Sequence, residues 1–188
     1  MGKIIYMLSC TLDGYINDAS GEISWAVPDE AMVADVTADL AGVTTHLYGR
    51  RMYESMAGWE TDPSLAAQSP ESAAFAEVWK RARKVVFSRT LEDVWTERTR
   101  LERDLTVEAI DRAKAETAGD LLIEGPTVTA AAFRLGLVDM VSLMIYPVTV
   151  GAGTRVFPDG LRLSLRLLRE QRFEKTGMVK VTYETDRS

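Results

Sequence analysis

Short apolar, β-rich runs alternate with segments of helical periodicity, and this alternation constrains the fold of the chain more than any other feature of its sequence. The runs that predict strands are Lys3–Ser9, Thr44–Tyr48, Lys84–Phe87, Asp120–Ile123 and Val138–Tyr146. The helical segments are predicted from Pro28 to Gly42, over Pro70–Arg81, over Leu105–Ala118 and from Pro126 to Leu135. Strands separated by helices pair in parallel, with helices on both faces of the sheet.

The end of the chain departs from this alternation. Leu165 to Lys175 and Met178 to Thr185 alternate apolar and polar residues with Gly177 between them, which predicts an antiparallel hairpin. We therefore expect a three-layer α/β/α sandwich around a mixed, mostly parallel sheet with an antiparallel C-terminal hairpin. A minor strand is predicted at Val94–Trp95, and an irregular loop between Gly58 and Pro70. No repeat or linker divides the sequence, so residues 1–188 are expected to form one domain.

The composition excludes several classes of function. A net charge of -6 argues against sequence-independent binding of nucleic acid, which needs a basic surface. The lone cysteine, Cys10, and the lone histidine, His46, make a zinc site improbable and an intramolecular disulfide impossible. No signal peptide is evident, and no apolar run approaches the roughly 18 residues that cross a membrane. We expect a reduced, cytoplasmic protein with a small-molecule substrate.

Three turns that follow predicted strands carry residues suited to phosphate. In an open α/β sheet, ligands bind outside the carboxyl ends of the strands. In Gly49–Arg51, the glycine lets a ligand approach the backbone, two arginines supply guanidinium groups, and a helix begins directly afterwards. Ser88–Thr90 supplies two hydroxyls and a guanidinium group that can surround a phosphate monoester. Glu124–Thr127 is a further strand-to-helix turn, with proline at the first helical position. The alternative for each is an ordinary solvated turn or helix start, and for Ser88–Thr90 taken alone that alternative is favoured.

A fourth segment, Trp25–Glu30, places two carboxylates in the first turn of a helix near an aromatic residue. A partly buried carboxylate there can hold a protonated heterocycle or relay a proton. The alternative is a solvated acidic helix N-terminus, which is the commoner role of such residues.

In chain order, these segments resemble the dihydrofolate reductase superfamily, and most closely its branch with the reductase domain of the riboflavin-biosynthesis deaminase–reductase. Ser9–Ile16 resembles the first strand and S-x-D-G turn of that branch, and Trp25–Glu30 the W-x-x-P-x-D stretch of dihydrofolate reductases. Further matches are Leu47–Ser55 with G-R-x-T-x-E-S, Val86–Thr90 with S-R-x, Leu122–Pro126 with h-E-G-G, Leu135–Asp139 with G-L-V-D-E, and Tyr146–Pro158 with the loop P-x-x-x-G-x-G-x-x-x-F-P.

The resemblance implies an NADPH-dependent reductase that transfers a hydride to a pterin-like or pyrimidine-like compound. It implies a cofactor site formed by Gly49, Arg50, Arg51, Ser88, Arg89, Thr90, Glu124, Gly125, Pro126, Thr127 and Val128. Asp13, Trp25, Tyr53 and Tyr146 are the implied substrate-binding residues, and Glu30 is the implied catalytic acid. A homodimer formed through the C-terminal β region is also implied.

The sequence also departs from the superfamily pattern. Met52 replaces the threonine of G-R-x-T, Glu124 replaces the first glycine of the Gly-Gly pair in dihydrofolate reductases, and Glu30 stands where those enzymes usually have aspartate. Dihydrofolate itself is therefore not the expected substrate. Two alternatives stay open: a nucleotide-binding regulatory protein of the same fold without turnover, and a non-redox enzyme that acts on a phosphorylated metabolite.

Overall fold

The computed structural model describes residues 2–186. Within them, eight strands form one mixed sheet in the order β4-β3-β2-β5-β1-β6-β8-β7. The strands are β1 (Ile4–Thr11), β2 (Val43–Gly49), β3 (Arg83–Phe87), β4 (Thr99–Glu102), β5 (Asp120–Glu124), β6 (Met140–Tyr146), β7 (Leu165–Arg172) and β8 (Val179–Thr185). The helices are α1 (Glu30–Leu40), α2 (Arg50–Met56), α3 (Gly58–Thr61), α4 (Pro63–Ala66), α5 (Pro70–Arg81), α6 (Val107–Ala115) and α7 (Pro126–Arg134).

The predicted fold class is confirmed. Strands β1 to β6 pair in parallel, whereas β8 pairs antiparallel with β6 and with β7. The alternation of side chains along each strand supplies two cores. Tyr6 and Ile123 pack with α6 and α7 on one face, and Met7 and Leu122 pack with α1 and α5 on the other. No helix within residues 2–186 is long and apolar enough to cross a membrane.

Two local predictions are wrong. The fourth strand in the sequence is Thr99–Glu102 rather than Val94–Trp95, because the Trp95 ring packs on Tyr53 and its backbone N–H bonds the Tyr53 hydroxyl. The stretch from Gly58 to Pro70 contains the one-turn helices α3 and α4. Asp62 caps α4 by accepting a hydrogen bond from the Ser64 N–H, and a proline opens that helix.

A buried ion cluster ties α1 to the C-terminal hairpin. The Lys180 ammonium on β8 is almost fully buried and donates to the carboxylates of Asp35 and Asp39 on α1. Arg169 on β7 binds the same two carboxylates from the solvent side. Burial acts to raise the pKa of Asp35, but hydrogen bonds and charge from Lys180 and Arg169 outweigh it, and the net pKa lies below its usual value.

Candidate functional site

A cavity of about 750 Å³ opens at the carboxyl ends of β2, β3 and β5. The three predicted phosphate turns meet in it, since the carboxyl ends of parallel neighbours lie along one edge of the sheet. The cavity is lined by every predicted cofactor residue except Glu124, that is Gly49, Arg50, Arg51, Ser88, Arg89, Thr90, Gly125, Pro126, Thr127 and Val128. These residues lie far apart in the sequence, so only the parallel pairing brings them together.

The floor of the cavity is formed by the first turns of α2 and α7. Neither turn has a side-chain cap, so their first backbone N–H groups lack the partners that a capping side chain supplies. Gly125 adopts a φ of 110°, a conformation that side chains rarely allow, and a Cβ there would lie 3.4 Å from the backbone nitrogen of Gly49. Glycine at this position therefore keeps the N-terminus of α7 open to an anion.

The Ser88–Thr90 turn forms one wall. The Ser88 Oγ accepts hydrogen bonds from the backbone N–H groups of Thr90 and Leu91, at 3.2 and 3.0 Å, which fixes the turn. Arg50 donates to the Thr90 hydroxyl at 3.2 Å, and the exposed Arg89 pairs with Asp104 at 2.6 Å. Arg50 also pairs with Glu54 at 3.2 Å. Two guanidinium groups and two hydroxyls thus line this part of the cavity, and such donors suit a phosphate monoester.

Arg103, Asp104 and Leu105 also line the cavity and lie next to the Ser88–Thr90 turn; the sequence pattern does not predict them as site residues. Arg103 donates to the carbonyl oxygens of Leu91, at 2.7 Å, and of Ser88, at 3.2 Å. These residues follow β4 directly. Because a strand was expected at Val94–Trp95, the strand end at Glu102 and the polar turn after it were overlooked.

The residues predicted to bind substrate separate into two groups, of which Trp25 and Tyr146 form one. Their rings meet edge to face with centroids 5.6 Å apart, and the buried Trp25 Nε1 has no hydrogen-bond partner within the described residues. Burial and the nearby Asp29 carboxylate raise the pKa of Tyr146, although a hydrogen bond with Ser9 opposes them. The Tyr146 hydroxyl also donates to the Met32 sulfur, a weak acceptor, at 3.8 Å.

The other group, Tyr53 and Asp13, supports the local structure. Tyr53 is fully buried, and its hydroxyl accepts from the N–H groups of Trp95 and Thr96, at 2.8 and 3.1 Å, so in this structure it holds that segment together. Asp13 accepts from the Thr11 hydroxyl and from the N–H groups of Val150 and Gly151. The Thr11 bond and the two backbone bonds lower the pKa of Asp13, so its carboxylate holds the loop after β6.

The acidic residues differ from the sequence-based expectation. Glu30 begins α1 with an exposed side chain, whereas its neighbour Asp29 caps the helix through the Met32 N–H. Glu124 lies at the end of β5, next to Gly125 of the cavity lining, and its carboxylate interacts with the buried Tyr48 hydroxyl. Its buried Oε2 lies 3.9 Å from His46 Nδ1 and has no well-formed hydrogen bond within residues 2–186. Burial and the Glu124 charge raise the pKa of the neighbouring Tyr48. A carboxylate oxygen that is buried and unsatisfied in this way can accept from a donor on a ligand.

Comparison with known proteins finds a matching family model, a similar protein and similar solved structures. The family described as RibD C-terminal domain matches residues 2–179. The "Uncharacterized protein YyaP" of Bacillus subtilis (strain 168) is 29% identical over 186 residues, which is 96% of this chain and 94% of that protein. The solved diaminohydroxyphosphoribosylaminopyrimidine deaminase/5-amino-6-(5-phosphoribosylamino)uracil reductase of Thermotoga maritima superposes with a TM-score of 0.67 at 18% identity, covering 98% of this chain and 57% of that one. Dihydrofolate reductase from Enterococcus faecalis, solved with NADP(H), superposes with a TM-score of 0.63 at 16% identity, covering 98% and 97%.

Proposed function

The chain belongs to the RibD C-terminal domain family, and on that premise we propose that it is an NADPH-dependent reductase of a pyrimidine-like or pterin-like heterocycle. One observation carries the proposal: three separate turns with phosphate-binding chemistry meet around a single cavity beside the uncapped N-terminus of α7. The Thermotoga relative is named as a uracil-derivative reductase, and the Enterococcus relative was solved with NADP(H), which agrees with this proposal.

The cavity fits the adenosine and diphosphate half of NADPH. Gly49 and Gly125 leave the backbone accessible, so a diphosphate can accept hydrogen bonds from the first turns of α2 and α7. Arg50, Ser88 and Arg89 surround the position suited to the 2′-phosphate, the group that distinguishes NADPH from NADH. When bound, NADPH would supply the hydride, while the protein orients the reactants and provides charge.

The substrate side is assigned to Trp25, Tyr146 and Glu124, on the α1 face of the sheet. The Trp25–Tyr146 pair offers an apolar surface against which a planar ring can pack. The Tyr146 hydroxyl is protonated at neutral pH, as an ordinary tyrosine is, and can donate to a ring carbonyl or nitrogen. The unsatisfied Glu124 Oε2 can accept from a ring N–H or an amino group. A pyrimidine carries both the donors and the acceptors that these two groups require.

The first test is binding. We expect saturable binding of NADPH, at least about tenfold tighter than that of NADH, since each charge-assisted hydrogen bond to the 2′-phosphate contributes about 1.5–3 kcal/mol. Equal affinity for the two nucleotides, or no binding of NADPH, would contradict the proposal.

The second test is turnover with a panel of aminopyrimidines and pterins, followed by the loss of NADPH absorbance. We expect Glu124→Gln and Tyr146→Phe each to lower kcat/KM by at least about tenfold. Glu30→Gln is the matched carboxylate control, because the Glu30 side chain is exposed. A loss confined to Glu30→Gln would instead assign the catalytic role to Glu30.

The alternative, a nucleotide-binding member of the family without turnover, is favoured by the exposure of Glu30. It predicts tight NADPH binding without oxidation of NADPH by any compound of the panel.

We also propose a homodimer, because β7 and the segment before it expose Leu163, Leu165, Leu167 and Leu168 at the edge of the sheet.

A further inference from the structure

A second cavity, of about 730 Å³, lies on the other side of helix α7. Ala131 on α7 lines the nucleotide cavity, whereas Ala130 and Arg134 line the second one, together with the loop 152–159 that follows β6. Three arginines, Arg51, Arg134 and Arg155, contribute to its lining, and we call it the arginine groove.

The charge of the groove is positive and only partly compensated. Asp159 is the acidic residue of its lining, and its carboxylate is 96% exposed and 3.9 Å from Arg155. The Arg155 guanidinium also lies 5.2 Å from the centre of the Tyr15 ring, which orients it. Among residues 2–186, Arg51 and Arg134 have no ion-pair partner. An anion in the groove would therefore meet guanidinium groups that have hydrogen bonds to give.

The loop wall of the groove is rigid. Gly153 has a φ of 142° and approaches the Asn17 carbonyl so closely that a Cβ there would lie 1.9 Å from that oxygen. The Thr154 N–H donates to the Asn17 side chain at 2.8 Å, and Ile16 N–H donates to the Thr154 carbonyl at 2.8 Å. Because these contacts fix the loop against the segment after β1, the groove is already formed without a ligand.

The floor of the groove holds an unsatisfied hydroxyl. Thr129, in the first turns of α7, is 1% exposed, lines the groove, and its Oγ1 has no hydrogen-bond partner within the described part of the chain. A buried hydroxyl without a partner is destabilising, and rotation of the Thr129 side chain towards the groove would let its hydroxyl donate to a bound oxyanion.

We propose that the arginine groove is a second, separate site that binds the phosphate or carboxylate group of a small metabolite while the nucleotide cavity is filled. The site goes beyond the proposed reductase activity, because it lies on the opposite side of α7. Arg51, Pro126 and Thr127 line both cavities. Occupation of one site therefore changes the affinity of the other, and the effect is reciprocal.

The test is calorimetric titration of inorganic phosphate into protein already saturated with adenosine 2′,5′-bisphosphate, which blocks the nucleotide cavity. We expect saturable binding of one phosphate, weakened at least about tenfold by Arg134→Gln and about threefold or more by Thr129→Val, which removes the hydroxyl and keeps the shape. Arg162→Gln is the matched control, since Arg162 is exposed and outside both cavities, and it should change affinity less than about twofold. The same titration is made with malonate, and tighter binding of malonate than of phosphate would identify a carboxylate as the group that the groove binds.

Three results would overturn the proposal: no saturable binding of phosphate or malonate, displacement of the bisphosphate by phosphate, or equal losses in Arg134→Gln and Arg162→Gln. Failure of the bisphosphate itself to bind would contradict the proposed nucleotide site only. In that case phosphate is titrated into the Arg89→Gln protein, in which the nucleotide cavity lacks one arginine. No saturable binding of phosphate or malonate, or equal losses on adding Arg134→Gln and Arg162→Gln, would then overturn the proposal.

Discussion

Replacing Arg89 with glutamine is expected to weaken NADPH binding about five- to thirtyfold and to change NADH binding by less than about twofold. A charge-assisted hydrogen bond to a phosphate contributes about 1.5–3 kcal/mol. The Arg89 side chain is 76% exposed and already pairs with Asp104, and an exposed pair of this kind contributes about 0.2–1 kcal/mol that the phosphate must replace. The difference, about 1–2 kcal/mol, gives the expected range.

The assay is a fluorescence titration of reduced nicotinamide nucleotides at a fixed ionic strength near 0.1 M, because salt screens an exposed charge. Arg162→Gln, an exposed arginine outside the cavity, is the control for loss of net charge. Thermal unfolding should be unchanged in both variants. Equal weakening of NADPH and NADH by Arg89→Gln, or equal effects of the two variants, would refute the assignment of Arg89 to the 2′-phosphate.

Other predictions follow from the same structure. Gly125→Ala forces a side chain into a φ of 110° and should lower the free energy of unfolding by about 1–3 kcal/mol in a denaturant titration, with weaker NADPH binding. Tyr53→Phe leaves two buried N–H groups without an acceptor and should cost about 1–3 kcal/mol, with NADPH affinity unchanged. The pKa of Asp35 is lower in the folded state than in the unfolded state, where it is about 3.9. The ionised carboxylate therefore contributes its full stabilisation above the unfolded-state pKa and loses it as the pH falls through the folded-state pKa. Asp35→Asn should flatten the fall in the free energy of unfolding below about pH 4. Leu167→Glu should convert the proposed dimer to a monomer in light scattering, and a wild-type monomer would contradict that proposal.

The strands and longer helices could be predicted because their signals are local. Pro70–Arg81 was predicted to the residue, since Ser69 caps the helix, Pro70 opens it, and its apolar residues repeat at helical spacing. β4 was misplaced because Thr99–Glu102 is a short edge strand of partly exposed polar residues. Thr99–Glu102 is a strand because it pairs with β3, and no local sequence pattern predicts that pairing.

The candidate site was predictable to the same extent. The Gly49, Ser88 and Gly125 turns could be found because each directly follows a strand, and parallel pairing places such turns at one edge. The sequence gives the position of Tyr53 on α2 but not the direction of its side chain, which points into the core towards Trp95 and Thr96. Arg103 was missed together with the strand that precedes it.

The sequence by itself determined the order of the elements, the parallel sheet with its antiparallel hairpin, and the three strand-end turns that line the cavity, because periodicity, glycine and helix-start residues act over a few neighbouring positions. Only the tertiary structure decided which side chains meet. It exposed Glu30 and left the Glu124 oxygen buried and unsatisfied, although both are glutamates next to the ends of secondary-structure elements. It also created the arginine groove, whose residues come from four separate segments. Burial and pairing between distant segments depend on packing in three dimensions, and this information is absent from any local pattern of residues.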